Sequence, residues 1–433
     1  MKRNILKASI LAFATIIPTM CANAQNTDNP SDSIYVPVRA IVLSGDRQKA
    51  SDLVGILYDK SELHFSDPNS PRFLFLDREG KVAFGIGGYF KGTVQYDFDG
   101  AIDDGASFTT YDIPVPMNPG QRNQFYGNAN HSTLLLQLVG RSSRFGYYQM
   151  YIQTNFSGNG NTGYGLKLKQ AYVKVGNVTA GLTNSVMIDG AAGTPTIDDE
   201  GPSGELGNKT VLVKYTPRFN ANFSGGIGVE YPHADYTTDA SVEHINQRVP
   251  DIPLYVQYQW GGGKSHVRLS GLVRNLSYRD LIADRNRFKT GWAAQLSGMI
   301  NFIPELTFYY QGAYGRGYAA LFNDLSGQGF DLVHSSAPGK MAAPRTANFE
   351  VGMRCDINTK LFVAGSYSQA RLYGLGYLGE DTYRYGQYVS VSGFFDIIPD
   401  VRIGLEYLHG TRTDYSGDSG HANRITGLLQ YSF

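Results

Sequence analysis

From Phe84 to the end of this chain, apolar side chains return at every second position, and they do so in many short blocks separated by turn-forming residues. In Val401-Arg402-Ile403-Gly404-Leu405-Glu406-Tyr407 the odd positions are apolar and the even ones polar or small. Ile425 to Phe433 repeats the pattern and stops at an aromatic residue. A period of two is that of a strand, whose successive side chains point to opposite faces. Sixteen such segments are predicted, starting near residues 84, 131, 144, 164, 177, 208, 221, 252, 265, 286, 304, 346, 360, 382, 400 and 421. Each has the roughly 9–11 residues that a tilted strand needs to cross a bilayer.

The connections alternate in length. With the first strand leading outward, the outer loops are about 99–130, 157–163, 186–207, 232–251, 280–285, 319–345, 372–381 and 414–420. Between them lie turns such as Ser142-Ser143, Gly176-Asn177 and Ile303-Pro304. Long outer loops alternating with short inner turns mark outer-membrane barrels, and a soluble sandwich has no reason to keep that alternation through sixteen strands. Hydrocarbon offers no water to an unpaired N–H or C=O, so such a sheet must close on itself. The expected fold is all-β, a 16-stranded antiparallel transmembrane β-barrel of the porin kind, over residues 84–433.

Composition agrees. Charged residues are 18%, below the usual ~25%, and aromatics reach 13%, with 30 Tyr. The first 24 residues read as a signal peptide: Lys2, Arg3 and Lys7, then apolar Ala8 to Met20, then Ala22-Asn23-Ala24. No apolar run of about 18 residues follows, so no membrane helix is expected. Residues 25–83 are expected to be an N-terminal periplasmic extension, a plug or a partly ordered leader, with a short helix within Asp46 to Lys60 and an extra strand over Arg72 to Asp77. The localisation expected is the bacterial outer membrane. Lys+Arg and Asp+Glu balance at 38 each, which gives no ground for a nucleic-acid partner.

Function in a pore lies in its lining. Placing the apolar set of each strand in lipid turns eleven basic residues inward: Lys91, Lys167, Lys169, Lys214, Arg268, Arg274, Lys289, Arg354, Arg384, Arg402 and Arg424. The inward acids are four: Asp97, Glu230, Glu350 and Glu406. Rings of Arg and Lys favour anions in a pore, and guanidinium groups grip carboxylates in a bidentate fork. Charges that only keep the lumen wet and pair across strands are the other reading. A one-residue slip reverses a face; Gln170 and Lys174 already fall on the outward side of an apolar strand, marking either a protomer contact or a bulge. The third outer loop carries Asp198, Asp199, Glu200 and Glu205. These acids either fold inward to narrow the lumen opposite the basic wall or lie on a solvated surface loop.

Other motifs carry less. Gly158-Asn159-Gly160-Asn161-Thr162-Gly163 joins two strands and opens no helix, so it is a hairpin loop. The eight His show no ligand spacing, Gly-x-Ser-x-Gly is missing, and neither a metal, a cofactor nor an enzymatic activity is expected.

The sequence resembles the DcaP-like family of outer-membrane porins. The resemblance rests on Gly88-Tyr89-Phe90-Lys91, Ser143-Arg144-Phe145-Gly146, Gln153-Thr154-Asn155-Phe156, Leu166 to Tyr172, Ala180 to Ser185, Gly404 to Tyr407, Gly410-Thr411-Arg412 and Ala422 to Ile425. It implies a homotrimer of 16-stranded barrels in outer-membrane lipid, passing dicarboxylates and other small anionic solutes, with Lys167, Lys169 and Arg424 lining the pore. The terminal Phe433 likewise resembles the signal read by the barrel-insertion machinery. Some family members carry an N-terminal coiled coil; residues 25–83 have no sustained heptads, so no such stalk is expected. Passive diffusion of anions is the leading expectation, and a barrel anchoring an adhesin or an enzyme is the alternative. An energised transporter needs a larger plug and about 22 strands.

Overall fold

In the computed structural model the described residues are 53, 56, 57, 64–68, 71–77, 81–102, 107–159 and 163–433. The expected signal peptide and most of the 25–83 leader lie outside them.

Among the described residues, sixteen antiparallel strands form one closed barrel. They are β1 (Val82–Asp99), β2 (Thr133–Ser142), β3 (Gly146–Asn155), β4 (Lys167–Val175), β5 (Val178–Asn184), β6 (Lys209–Tyr215), β7 (Phe223–Glu230) and β8 (Ile252–Trp260). The second half comprises β9 (Ser265–Asp280), β10 (Arg285–Ile303), β11 (Leu306–Arg316), β12 (Arg345–Asp356), β13 (Leu361–Tyr373), β14 (Tyr383–Ile398), β15 (Val401–Asp414) and β16 (Ser419–Ser432). Every strand begins within three residues of its predicted start. β16 pairs with β1 from Tyr89↔Ser432 to Asp99↔Asn423, which removes the open edge that hydrocarbon would penalise. Val211, Leu269, Leu405 and Leu429 stand exposed on the outward face, where lipid replaces water.

β1 serves two neighbours on each side. Its inner half pairs with β2 and with a short strand, Phe73–Leu76; its outer half pairs with β16 and with Arg122–Asn128. The changeover falls at Gly88, at φ +147°, where a Cβ would lie 2.1 Å from the Thr133 carbonyl oxygen. Glycine is required there by space and by dihedral. The extra strand predicted over Arg72 to Asp77 is this one, continuing the sheet where β16 ends. Leu53 and Leu57, helical within the expected 46–60 segment, pack under it with Leu74, Leu76, Ala83 and Val139.

The outer loops are L1 (100–132), L2 (156–166), L3 (185–208), L4 (231–251), L5 (281–284), L6 (317–344), L7 (374–382) and L8 (415–418). L1, L3 and L6 turn into the barrel. Phe108 and Ile113 of L1 bury against Tyr388, Leu408 and Ala422. Tyr318, Phe322, Leu325 and Phe330 of L6 pack with Met187 and Leu206 of L3 and with Leu372 and Tyr383 of the wall. A buried core inside a membrane barrel is thus made by its loops. The wall supplies only part of it.

Candidate lumenal site

L3 lies in the lumen because its backbone and its acids find partners there. Glu230 of β7 accepts from the Val186 N–H at 2.7 Å. Asp189 accepts from His266 of β9 at 2.8 Å and from the Ser297 hydroxyl of β10 at 2.7 Å, while Arg268 donates to the Ile188 carbonyl at 2.9 Å. Glu350 of β12 takes the Thr194 N–H, and Glu406 of β15 takes the N–H groups of Ile197 and Asp198, both at 2.8 Å. Lys91 of β1 closes the circuit, donating to the Ile197 carbonyl at 2.9 Å and to Asp199 at 2.5 Å. An intramolecular hydrogen bond contributes about 0.5–1.5 kcal/mol net, and their sum holds the loop along β7, β9–β15 and β1.

The four acids expected in a constricting loop are therefore inside, and three are consumed by the loop's own anchoring. Asp198 accepts from the Phe108 N–H of L1 at 3.0 Å and from the Tyr388 hydroxyl at 3.1 Å. Burial first, and Glu406 second, push its carboxyl well above the usual range, with Arg424 opposing. Burial also works against a charged Asp199, but Lys91 and His131 outweigh it and hold that carboxyl at about 2. Asp189 is likewise buried, and Arg268 with His266 keeps it well below the usual range. Glu205 sits 3.3 Å from His64 of the leader. Glu200, like Asp199, comes within electrostatic range of Lys169.

The basic residues divide into two groups. Arg274 is 2% exposed, donating to Asp251 at 2.9 Å, to Asp331 at 3.0 Å and to the Gly317 carbonyl. Arg424 is 1% exposed, forking onto Asp97 at 2.6 and 3.0 Å and donating to the Ser107 carbonyl. Both fasten loops to the wall and offer no free charge to a solute. Arg354 and Arg402 face the lumen near its inner end, paired with Asp356 at 2.7 Å and Asp396 at 2.6 Å. Lys289 has lumenal parity, opposite fully buried Leu276, and stands exposed at the outer end of β10. Arg384 is a correction. A bulge between Tyr383 and Tyr385 turns Tyr383 inward, onto Asp324, and takes Arg384 out of the lumenal series, its guanidinium over the Tyr385 ring.

The second group lies on β4–β6, across from L3. Lys167 pairs with buried Asn155 and shares its lumenal face. Lys169 is the extra residue of a bulge opposite Gln153/Thr154, within electrostatic range of Lys167, Lys209, Asp199 and Glu200. Past that bulge the faces exchange. Gln170 is buried in the lumen between Gln153 and Thr183, and Lys174, opposite buried Thr179, follows it inward. Of the two readings of Gln170 and Lys174, the bulge is the one found. Lys214 donates to the Asn184 carbonyl at 3.4 Å and, with Arg268, lines a cavity of about 70 Å³ beside stacked Tyr151 and Tyr172. Strands β2–β6 contain not one Asp or Glu, and that absence is readable from the sequence without any fold. Parity counting missed Lys174, and it had no signal for His64 or for Asp324 and Asp331, whose partners come from distant loops.

Comparison with known proteins agrees with this geometry. No curated protein matches the sequence. The outer membrane channel DcaP of Acinetobacter baumannii superposes with a TM-score of 0.71 at 18% identity, covering 83% of this chain and 99% of that one. An anion-selective porin from Comamonas acidovorans gives 0.52 at 10% identity, over 82% and 100% of the two chains. OmpT, an outer membrane protein of Vibrio cholerae, gives 0.52 at 10%, over 81% and 98%. These likenesses establish the closed porin barrel. The family described as the porin subfamily matches over residues 114–398, and the chain belongs to it, as a bacterial outer-membrane channel and not an enzyme.

Proposed function

We propose that this porin passes small anionic solutes, dicarboxylates among them, by passive diffusion along the β2–β6 side of its lumen. The carrying observation is the charge of that sector: Lys167, Lys169, Lys174 and Lys214 on a wall without a carboxylate. On the opposite side L3 is tied down by its hydrogen bonds to β7, β9–β15 and β1. Ammonium groups on a wall without carboxylates, facing a tethered acidic loop, stabilise an anion as it sheds water and repel a cation. A homotrimer in outer-membrane lipid is part of the same proposal, with no cofactor.

The test is the reversal potential of purified protein in planar bilayers under a KCl gradient. The wild type is expected to prefer chloride. Exchanging Lys167, Lys169 and Lys214 together for Glu is expected to move the chloride-to-potassium permeability ratio about tenfold toward potassium, the shift that ~1.4 kcal/mol gives. A wild type that prefers potassium sinks the proposal.

A further inference from the structure

The leader re-enters the barrel. Residues 64–67 follow the helical segment that holds Leu53 and Leu57 and precede the strand Phe73–Leu76, so both flanks are fastened to the inner rim. Among the described residues, 64–67 make no strand pairing and contact wall and loop residues of the lumen. Phe65 stands edge-on to Phe362 at 5.8 Å and to Phe394 at 5.2 Å, themselves stacked at 4.7 Å. The Arg402 guanidinium lies 5.5 Å from the Phe65 ring. Tyr89 of β1 donates its hydroxyl to the Ser66 carbonyl at 3.0 Å. His64 reaches farthest, to 3.3 Å from Glu205 of L3, and a Cβ on Gly193 would collide with its ring.

We propose that residues 64–67 are a strap seated across the inner exit of the lumen, and that lifting it widens the passage. It borders a cavity of about 340 Å³ whose other walls include Lys91, Arg354 and Arg402. Arg402 opens β15, next to the inner turn, and Arg354 closes β12, which places this cavity at the inner mouth. A solute that has passed L3 meets the strap next. The seat consists of one aromatic cluster, one cation–π contact, one hydrogen bond from the Tyr89 hydroxyl and one His–carboxylate contact. Interactions of this kind are individually weak and exchangeable, whereas the flanks are held by a strand ladder and a buried apolar cluster. The middle can therefore leave its seat while the ends stay. The inference goes beyond ion preference, because a strap limits flow for any solute.

Single-channel recording on the full chain tests it. Phe65→Ala and, separately, His64→Ala are each expected to raise conductance roughly twofold, with the reversal potential unchanged. Ser66, exposed to the cavity, is changed to Cys for a third measurement. A bulky, membrane-impermeant thiol reagent added from the inner side is expected to lower the Ser66→Cys current stepwise. The same reagent is expected to leave the wild type untouched, since Cys355 is fully buried and is not a free thiol. Folding of each variant is checked by retarded migration of the unheated barrel on a denaturing gel. Wild-type conductance in folded Phe65→Ala and His64→Ala, together with no block of Ser66→Cys, overturns the strap. Conductance and reversal potential are separate readouts, so a cation-preferring channel sinks the proposed function and leaves this inference standing.

Discussion

At the scale of single residues, the lumen spends most of its charge on holding itself together. Arg424 and Asp97 are both nearly fully buried and bind through a bidentate fork. Removing one member of such a pair leaves an uncompensated charge, whereas the intact pair adds little net stability. Asp198 is the informative member of L3, because its carboxyl lies beside that of Glu406 while both accept hydrogen bonds from neighbouring groups. Its folded pKa is raised above the unfolded 3.8 by burial and then by Glu406. Its contribution to the seated loop is thus complete below the ordinary carboxylate range and is lost as pH rises through the raised value. Asp198→Asn keeps an oxygen for the Phe108 N–H and removes the charge. The variant is expected to flatten the fall of thermal stability with rising pH, and to hold L3 at least as firmly as the wild type at neutral pH. A pH series of melting temperatures for both proteins checks it; parallel curves count against the assignment.

Elements depart from the sequence pattern at bulges. Alternation marks where each strand begins, since lipid on one side enforces it residue by residue, but an inserted residue exchanges faces without changing composition. On β4 the insertion at Lys169 carries Gln170 and Lys174 into the lumen; on β14 the one beside Arg384 brings in Tyr383. The first left a trace, two polar side chains on an otherwise apolar face. The second left none, because Tyr and Arg are both at home on a rim. Deleting Lys169 restores an uninterrupted ladder, with Lys167 still opposite Asn155 and Gln170 still opposite Gln153. The deletion is therefore expected to leave a folded barrel that has lost one lumenal cation. Unchanged gel migration of the unheated protein, with a smaller chloride preference, is the expected pair of results.

For the whole molecule, a count of inward cations along the chain is not a measure of the field in the lumen. Arg274 and Arg424 are neutralised by Asp251, Asp331 and Asp97 at hydrogen-bond distance, while on β4–β6 Lys167 stands exposed and Lys169, Lys174 and Lys214 are half-buried. A field from water-facing charges is screened, with a Debye length of about 10 Å at 0.1 M and about 3 Å at 1 M salt. The chloride preference is accordingly expected to weaken severalfold between ~0.1 M and ~1 M KCl at a fixed gradient ratio. Buried pairs would show no such dependence. A preference independent of salt would place the selecting charges somewhere other than on β4–β6.

Strand number, strand starts, the long outer loops and an acid-free stretch of wall are all legible along the chain. Each of these follows from a constraint that acts locally, the two-residue period imposed by lipid on one face and water on the other. Which charges remain available is settled by the folded loops. Lys91 and Lys167 look alike in the chain, yet one is spent on Asp199, more than a hundred residues away, and the other is not. Hydrogen-bond partners supplied by loops folding back into the lumen are non-local. No pattern along the strand encodes them.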